Sequence, residues 1–467
     1  MSNYKTAKFS FNSATLNQLL IEIALDFGIC AIWESSAARN EALETSSSFK
    51  AARYTYCILE TEKRILVDAE CKLSEQEYQR YFEQLPDFSD LDFPCGSIGV
   101  IAYDLLAQFD RIRNFSSNKK TPLFEVITPA IALVIDKQNQ EIRLLVQSDL
   151  DLGKLSAKLQ ASILHAESII DRQEGRCNNL SPLTIDPKAP AFIEKVLKLK
   201  DYIAAGDAYQ IVLSLILSTK FNSSRRPDTL QAYLRLRESN PSPFHFYMRM
   251  QQLELLGASP ELMLRFTRQN SGQAGFQLEM RPVAGTIPRG NTSELDQLQA
   301  LTLKEHLKER AEHVMLVDHV RNDIGRVAKF GSVKVTDLLS VESYQNVHHL
   351  VSGVSGELLQ SKNLFDAILS CLPIATLTGT PKLRAMEIIS ELEEQPRGIW
   401  GGMFFRAQSA SDLEAAVIIR AAEIYENEIQ IRAGAGIVYD SVPEREYEEC
   451  LWKAQAVVNA FGFKICK

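Results

Sequence analysis

Apolar and polar positions in the first 170 or so residues alternate in short runs, as in Tyr54-Thr55-Tyr56-Cys57-Ile58-Leu59 and Ile131-Ala132-Leu133-Val134-Ile135. Such alternation between turn residues predicts β-strands. Helical spacing predicts one helix, Leu155 to Arg172, and the polar run from Gln173 through Pro190 predicts a linker or long surface loop. From Ala191 onward helices and strands alternate. Ser293 to Lys329 carries apolar residues at Leu295, Leu298, Leu301, Ala311, Val314, Met315 and Val317, which predicts one long helix. Glu428 to Tyr439 predicts a strand bearing Gly434-Ala435-Gly436, where a ligand could approach bare backbone. Ser441-Val442-Pro443-Glu444 predicts a capping-box start to a final helix running toward Phe461. The pattern divides the chain into residues 1–172 and 190–467.

Composition narrows the class. A chain of 467 residues, 45% hydrophobic and 24% charged, can bury an ample core. Its net charge of −8 argues against a nucleic-acid binder, which needs a basic face. No apolar run approaches the roughly 18 residues of a membrane span, and the N-terminus lacks a signal-peptide organisation, so a cytoplasmic protein is expected. Eight cysteines without CxxC spacing fit reduced thiols.

Two pairs of carboxylates and one helix start are the candidate chemistry. Glu309 and Glu312 lie three apart, as do Glu446 and Glu449, so each pair shares a helix face, and Lys453 sits one turn beyond Glu449. Alone, such pairs are usually a solvated face; hard oxygen ligands from two helices would also suit Mg²⁺. The stretch Leu372 to Glu387 places Thr378, Gly379, Thr380 and Pro381 ahead of a helical pattern. Thr378 or Thr380 is a plausible N-cap and Pro381 a first helical residue, giving free N–H groups that can seat a carboxylate or phosphate.

That stretch resembles the P-A-G-T-(L/V)-(S/T)-G-A-P-K-(I/V)-R-A-M-E-I signature of chorismate-utilising enzymes. Further matches, in order, are Gly206-Asp207-Ala208-Tyr209-Gln210, Gly257-Ala258-Ser259-Pro260-Glu261, Arg281-Pro282-Val283-Ala284-Gly285-Thr286, Glu312 to Asp318, His348-His349-Leu350-Val351-Ser352 and Gly434 through Glu449. They cover most of residues 190–462, and the chain resembles the large subunits of anthranilate synthases. The resemblance implies an α+β fold: two antiparallel β-sheets packed as a sandwich, with helices outside. It implies Mg²⁺ on Glu312 and Glu449, with Glu309 and Glu446 just behind. Arg420, Lys453, Thr376, Trp400 and the backbone of Gly434, Ala435 and Gly436 would receive chorismate. By this count four glutamates and a dianionic substrate meet only two cationic side chains, a balance that calls for the metal.

Position 210 carries Gln where water-using relatives carry a Lys base, and position 284 carries Ala where aminodeoxychorismate synthases often carry a nucleophilic Lys. Ammonia is therefore the expected nucleophile. Glu261 would be the acid for the leaving C4 hydroxyl, His349 would assist loss of pyruvate, and Thr286 would stand with them among the catalytic positions. An unperturbed His could pass a proton either way. Trp400 and Ile287 depart from the usual Tyr and Arg, and His319 replaces an apolar residue. The resemblance further implies a separate glutamine amidotransferase subunit that supplies ammonia. It also implies feedback L-tryptophan bound by two elements, Trp33-Glu34-Ser35-Ser36 and Asn240-Pro241-Ser242-Pro243-Phe244. Alternatives remain open: an aminodeoxychorismate or aminodeoxyisochorismate synthase, or a non-catalytic regulator that binds chorismate or tryptophan.

Overall fold

The computed structural model describes residues 4–35, 53–91, 94–110, 112–169, 181–222, 226–269, 275–344 and 347–465. Every strand pairing among them is antiparallel. One sheet runs Tyr4–Ser10, Glu141–Gln147, Phe124–Asp136, Tyr54–Val67, Ala31–Ser35, Phe244–Arg249, Glu254–Ser259, Ala421–Ile424, Glu428–Ile437 and Gln210–Lys220. A second runs from the same Phe124–Asp136 through Ser97–Ile101, Met403–Ser409, Asp412–Val417, Leu262–Arg268 and Phe276–Met280 to Val347–Glu357. Val283–Pro288 and Lys334–Ser343 flank that last strand. Register shifts between Ile58 and Lys63 bend Tyr54–Val67 where the two sheets diverge.

The sheets pack face to face over a large apolar core in which Phe404 lies 4.7 Å from Phe246 and stacks on Trp33 at 5.8 Å. A second core joins the first sheet's outer face to the helices Leu16–Asp26, Leu152–Ser168, Ala189–Ala204, Thr229–Ser239 and Pro443–Ala460. This is the expected sandwich with helices outside. No helix among the described residues is long and apolar enough to cross a membrane.

Several predicted boundaries move. The linker is shorter, because Thr184–Asp186 pairs with Gln210–Lys220 and a helix begins at Ala189; residues 173–180 lie outside the described residues. The long helix breaks at His306, whose backbone is extended (φ −66°, ψ 109°) and whose Nδ1 accepts the Glu309 N–H, separating Ser293–Glu305 from Leu307–Gly325. The stripe that suggested a single core-facing helix is largely outside: Leu295, Leu298, Leu301 and Val314 are exposed, while Leu316, Val317, Val320 and Ile324 turn inward. Neither threonine caps the Lys382–Leu392 helix, because Thr380 bonds His319 instead and the Thr378 hydroxyl is buried with no hydrogen-bond partner among the described residues. Pro381 itself takes the cap position. The Ser441 capping box is likewise absent; its hydroxyl accepts the Val438 N–H, closing the turn, and the helix starts at Pro443.

Candidate active site

Alternation along Glu428–Ile437 buries Ile429, Ile431, Ala433, Ala435 and Ile437 against the helices and turns Arg432, Gly434 and Gly436 to the opposite face. That face forms one wall of a cavity of about 450 Å³. The glycines are required by close approach. A Cβ at 436 would stand 2.4 Å from Gln210 Nε2, and one at 434 would stand 3.0 Å from Trp400 Cη2. The structure places Gln210, Glu261, Ala284, Thr286, Glu309, Glu312, His349, Thr376, Trp400, Arg420, Glu446, Glu449 and Lys453 in the cavity wall. Ala435 is different: its methyl faces the helices, away from the cavity.

Glu261 is buried and accepts a hydrogen bond from Thr376 Oγ1 at 3.1 Å. Burial pushes its carboxyl up to about 8, against the opposing pull of the Thr376 hydroxyl, the Val283 N–H, Lys453 and Arg420. It is a protonated acid at neutral pH. His349 behaves unlike the unperturbed imidazole expected from its type. Burial, then the neighbouring Arg420, push it down to about 3, so it is neutral. Its Nδ1 lies 3.1 Å from the Gly285 carbonyl and 3.0 Å from Thr286 Oγ1. Donation from Nδ1–H to that carbonyl leaves the Nε2 lone pair as a base.

Arg420 holds φ +49°, a conformation that costs a non-glycine residue roughly 1 kcal/mol or more and collects at functional sites. Its guanidinium makes no hydrogen bond or ion pair with the described residues, which leaves it free for a ligand carboxylate. Trp400 is 2% exposed, and its Nε1–H likewise has no partner. Lys453 donates to the Gly434 carbonyl at 3.0 Å and pairs with Glu449 at 2.7 Å.

The acidic end carries the two glutamate pairs. Burial raises the Glu312 carboxyl, with Glu309 and Glu446 pushing the same way against Lys308, and burial raises Glu446 with help from Glu449. Carboxylates from two distant helices thus feel one another across the cavity.

A family model described as chorismate binding enzyme matches residues 29–459. The chain belongs to the chorismate binding enzyme family. Anthranilate synthase component 1 of Thermus thermophilus is 39% identical over 394 residues, 82% of this chain and 81% of that one. The component 1 of Acetivibrio thermocellus is 37% identical over 382 residues, 79% and 75% of the two chains. The crystal structure of anthranilate synthase component I from Streptococcus pneumoniae matches with a TM-score of 0.71 at 28% identity, covering 90% of this chain and 95% of that one. The menaquinone-specific isochorismate synthase of Escherichia coli also reaches 0.71, at 18% identity over 98% and 94% of the two chains, a likeness of fold.

In this chorismate binding enzyme two further cations line the cavity, Lys308 and Arg432. The count of two cationic side chains was therefore too low. Both were open to discovery from spacing: Lys308 lies one turn before Glu312, and Arg432 lies two residues before Gly434 on the same strand face. Arg432 is already held by Glu393 and by the Pro396 carbonyl at 2.9 Å, so it contributes field more than contact. No three His, Cys, Asp or Glu side chains among the described residues converge as a ready-made metal cage. A hard divalent cation completed by ligand oxygens nonetheless fits this donor set. Glu312 Oε1 is buried without a hydrogen-bond partner, 3.6 Å from Lys308 Nζ, and the carboxylates around it repel one another.

The tryptophan elements lie elsewhere. Ser35 pairs with Phe244 across neighbouring strands, which brings the two elements together although 209 positions separate them in the chain. Ser35, Ser242 and Phe244 are buried, and the Trp33 indole lies 5.5 Å from the Phe244 ring. Asn240, whose Nδ2 is buried with no hydrogen-bond partner among the described residues, ends the Thr229–Ser239 helix just before Pro241. Ser36 lies outside the described residues.

Proposed function

We propose that this chain is the large subunit of an anthranilate synthase, converting chorismate and ammonia into anthranilate and pyruvate. The observation that carries the reading is the convergence, in one cavity, of Glu261 held by the Thr376 hydroxyl, His349 held at the Gly285 carbonyl, and Arg420, whose guanidinium makes no hydrogen bond or ion pair with the described residues. Similarity to relatives named anthranilate synthase component 1 supports the branch, as do Gln210 and Ala284, where no lysine stands to activate water or attack the ring.

Arg420 and Lys453 receive the two carboxylates of chorismate, and Trp400 Nε1–H offers a further donor. Ammonia attacks ring carbon C2 as the C4 hydroxyl departs, and Glu261 protonates that hydroxyl so that it leaves as water. His349 Nε2 then removes the C2 proton as the enolpyruvyl ether cleaves, giving the aromatic ring and enolpyruvate, which becomes pyruvate on taking up a proton at its methylene carbon. Glu312 and Glu449, backed by Glu309 and Glu446, would hold Mg²⁺, which supplies charge neutralisation for the ring carboxylate. A second component, a glutamine amidotransferase, supplies ammonia, and the free buried cysteines suit a cytoplasmic home. Every cavity residue comes from position 210 or beyond, consistent with a catalytic part at 190–467.

The test is the purified chain with chorismate, Mg²⁺ and ammonium at mildly alkaline pH. Anthranilate with matching pyruvate is expected. Amination without pyruvate would point to an aminodeoxy product, and unconsumed chorismate to a binding protein. His349→Ala is expected to keep amination and slow pyruvate release by about 10²–10⁴-fold, seen as accumulation of the aminated intermediate. Normal anthranilate output from that variant would remove His349 from the mechanism.

L-Tryptophan is the proposed feedback ligand at Ser35, Asn240, Pro241, Ser242 and Phe244. Because Ser35, Ser242 and Phe244 are buried, its entry requires local opening, and inhibition should develop slowly on mixing. Ser35→Leu is expected to abolish inhibition while turnover without tryptophan is retained. Undiminished wild-type turnover at saturating tryptophan would exclude the site.

A further inference from the structure

Behind the cavity, outside the residues that face substrate, lies one fully committed guanidinium. Arg397 is 3% exposed and sandwiched between aromatic rings, 5.0 Å from the Tyr103 centroid and 5.1 Å from the Trp400 centroid. Its Nε and Nη2 grip Glu393 at 2.9 and 2.8 Å. Nη2 also donates to the Val212 carbonyl at 2.8 Å, and Nη1 donates to the Leu377 carbonyl. Val212, Leu377 and Trp400 all line the cavity, yet they come from three separate chain segments. Val212 is two residues from Gln210 on the same strand face. Leu377 follows Thr376, whose hydroxyl holds Glu261.

We propose that Arg397 is a positioning residue: its guanidinium fixes the Val212, Leu377 and Trp400 walls relative to one another and thereby sets the Thr376–Glu261 hydrogen bond. A lysine cannot replace it, because an ammonium has neither the planar face that stacks between two rings nor the fork that spans two carbonyls and a carboxylate. Glu393 completes the device by accepting from the Ser214 N–H and hydroxyl, both at 2.8 Å, which ties the guanidinium to the strand carrying Gln210. The inference rests on the reading of this cavity as the chorismate site.

Arg397→Lys in the full chain tests it. With chorismate, Mg²⁺ and ammonium, kcat is expected to fall roughly tenfold to a hundredfold, as for a displacement of about 1 Å, with a much smaller change in KM. The decisive readout is the pH profile. The Thr376 hydroxyl holds the Glu261 carboxyl down, so loosening it moves the alkaline limb of kcat/KM upward. A purely structural role would reduce the folded fraction without moving that limb. Wild-type kcat per folded molecule with an unmoved limb would overturn the proposal. If the lysine variant does not fold, Glu393→Gln cuts the same ion pair from the other side and is expected to shift the limb in the same direction; an unmoved limb there overturns it equally.

The chain has three tryptophans, so Trp33→Phe with Trp452→Phe leaves Trp400 as sole reporter. Arg397→Lys in that background must change the Trp400 emission, and an unchanged spectrum counts against the proposal. A wild-type chain that leaves chorismate untouched would sink the chorismate reading, while this optical arm would still judge the placement of Arg397.

Discussion

Glu261→Gln is expected to lower turnover by about 10²–10⁴-fold, to leave chorismate binding nearly intact, and to stabilise the fold in alkaline solution. Glutamine keeps the shape of a protonated carboxyl and can still bond Thr376, but it has no acidic proton for the departing hydroxyl. The stability effect follows from linkage. The folded carboxyl titrates at about 8, raised from its ordinary 4.5. Below 4.5 both folded and unfolded chains hold the proton, and the residue brings no penalty. As pH rises from 4.5 to 8 the unfolded chain ionises first, so stability is lost progressively, and the loss is complete above 8. Glutamine never ionises and escapes that loss. At about 1.4 kcal/mol per pH unit, reduced for relaxation of a buried site, the gain should be on the order of 2–4 kcal/mol at pH 9 and near zero at pH 4.5. Melting temperatures of both proteins across that range measure it. A gap that does not widen with pH would mean that Glu261 is ionised in the folded protein and is no acid. The wild-type enzyme should correspondingly lose kcat/KM as pH rises through about 8, even though free ammonia becomes more abundant there.

Such raised carboxyls also explain why some of the site was legible in the chain and some was not. The strand bearing Gly434 and Gly436 could be read directly, because period-two alternation and missing side chains are local facts. So could the helix faces shared by Glu309 with Glu312 and by Glu446 with Glu449. What those glutamates face is not local: the Leu307–Gly325 helix packs on the second sheet and the Pro443–Ala460 helix on the first. The state of His349 was misread for the same reason. Its residue type predicts titration near neutrality, whereas its burial comes from segments distant in the chain, and Arg420 adds to it. The helix break at His306 was hidden by Leu295, Leu298 and Leu301, whose spacing imitates a core stripe although all three lie at the surface. Arg397 stands in the chain only as the start of the run that holds Trp400; its role depends on carbonyls 20 and 185 residues away, which no local pattern reveals.

Chorismate is expected to raise the affinity for Mg²⁺ by about tenfold or more, and Mg²⁺ to raise the affinity for chorismate by the same factor, since coupling between two binding events is reciprocal. Without a cation, Glu312 Oε1 is buried with no hydrogen bond from the described residues, only the Lys308 ammonium at 3.6 Å, and its carboxyl is raised by burial and by Glu309 and Glu446. A dianionic substrate entering that field adds repulsion that Lys308, itself partly committed to Glu312, does not cancel. A divalent cation held by Glu312 and Glu449 would neutralise both charges, so each ligand would prepare the site for the other. Calorimetric titration of Mg²⁺ with and without chorismate, in the absence of ammonium and glutamine so that no amination proceeds, measures the coupling. Glu312→Gln should abolish it and lower Mg²⁺-dependent turnover by roughly a hundredfold or more, because the neutral amide neither repels the substrate nor holds the ion. Equal Mg²⁺ affinities with and without chorismate would mean that the glutamates do not form one metal and substrate site, and would return Glu309, Glu312, Glu446 and Glu449 to the role of charged helix faces.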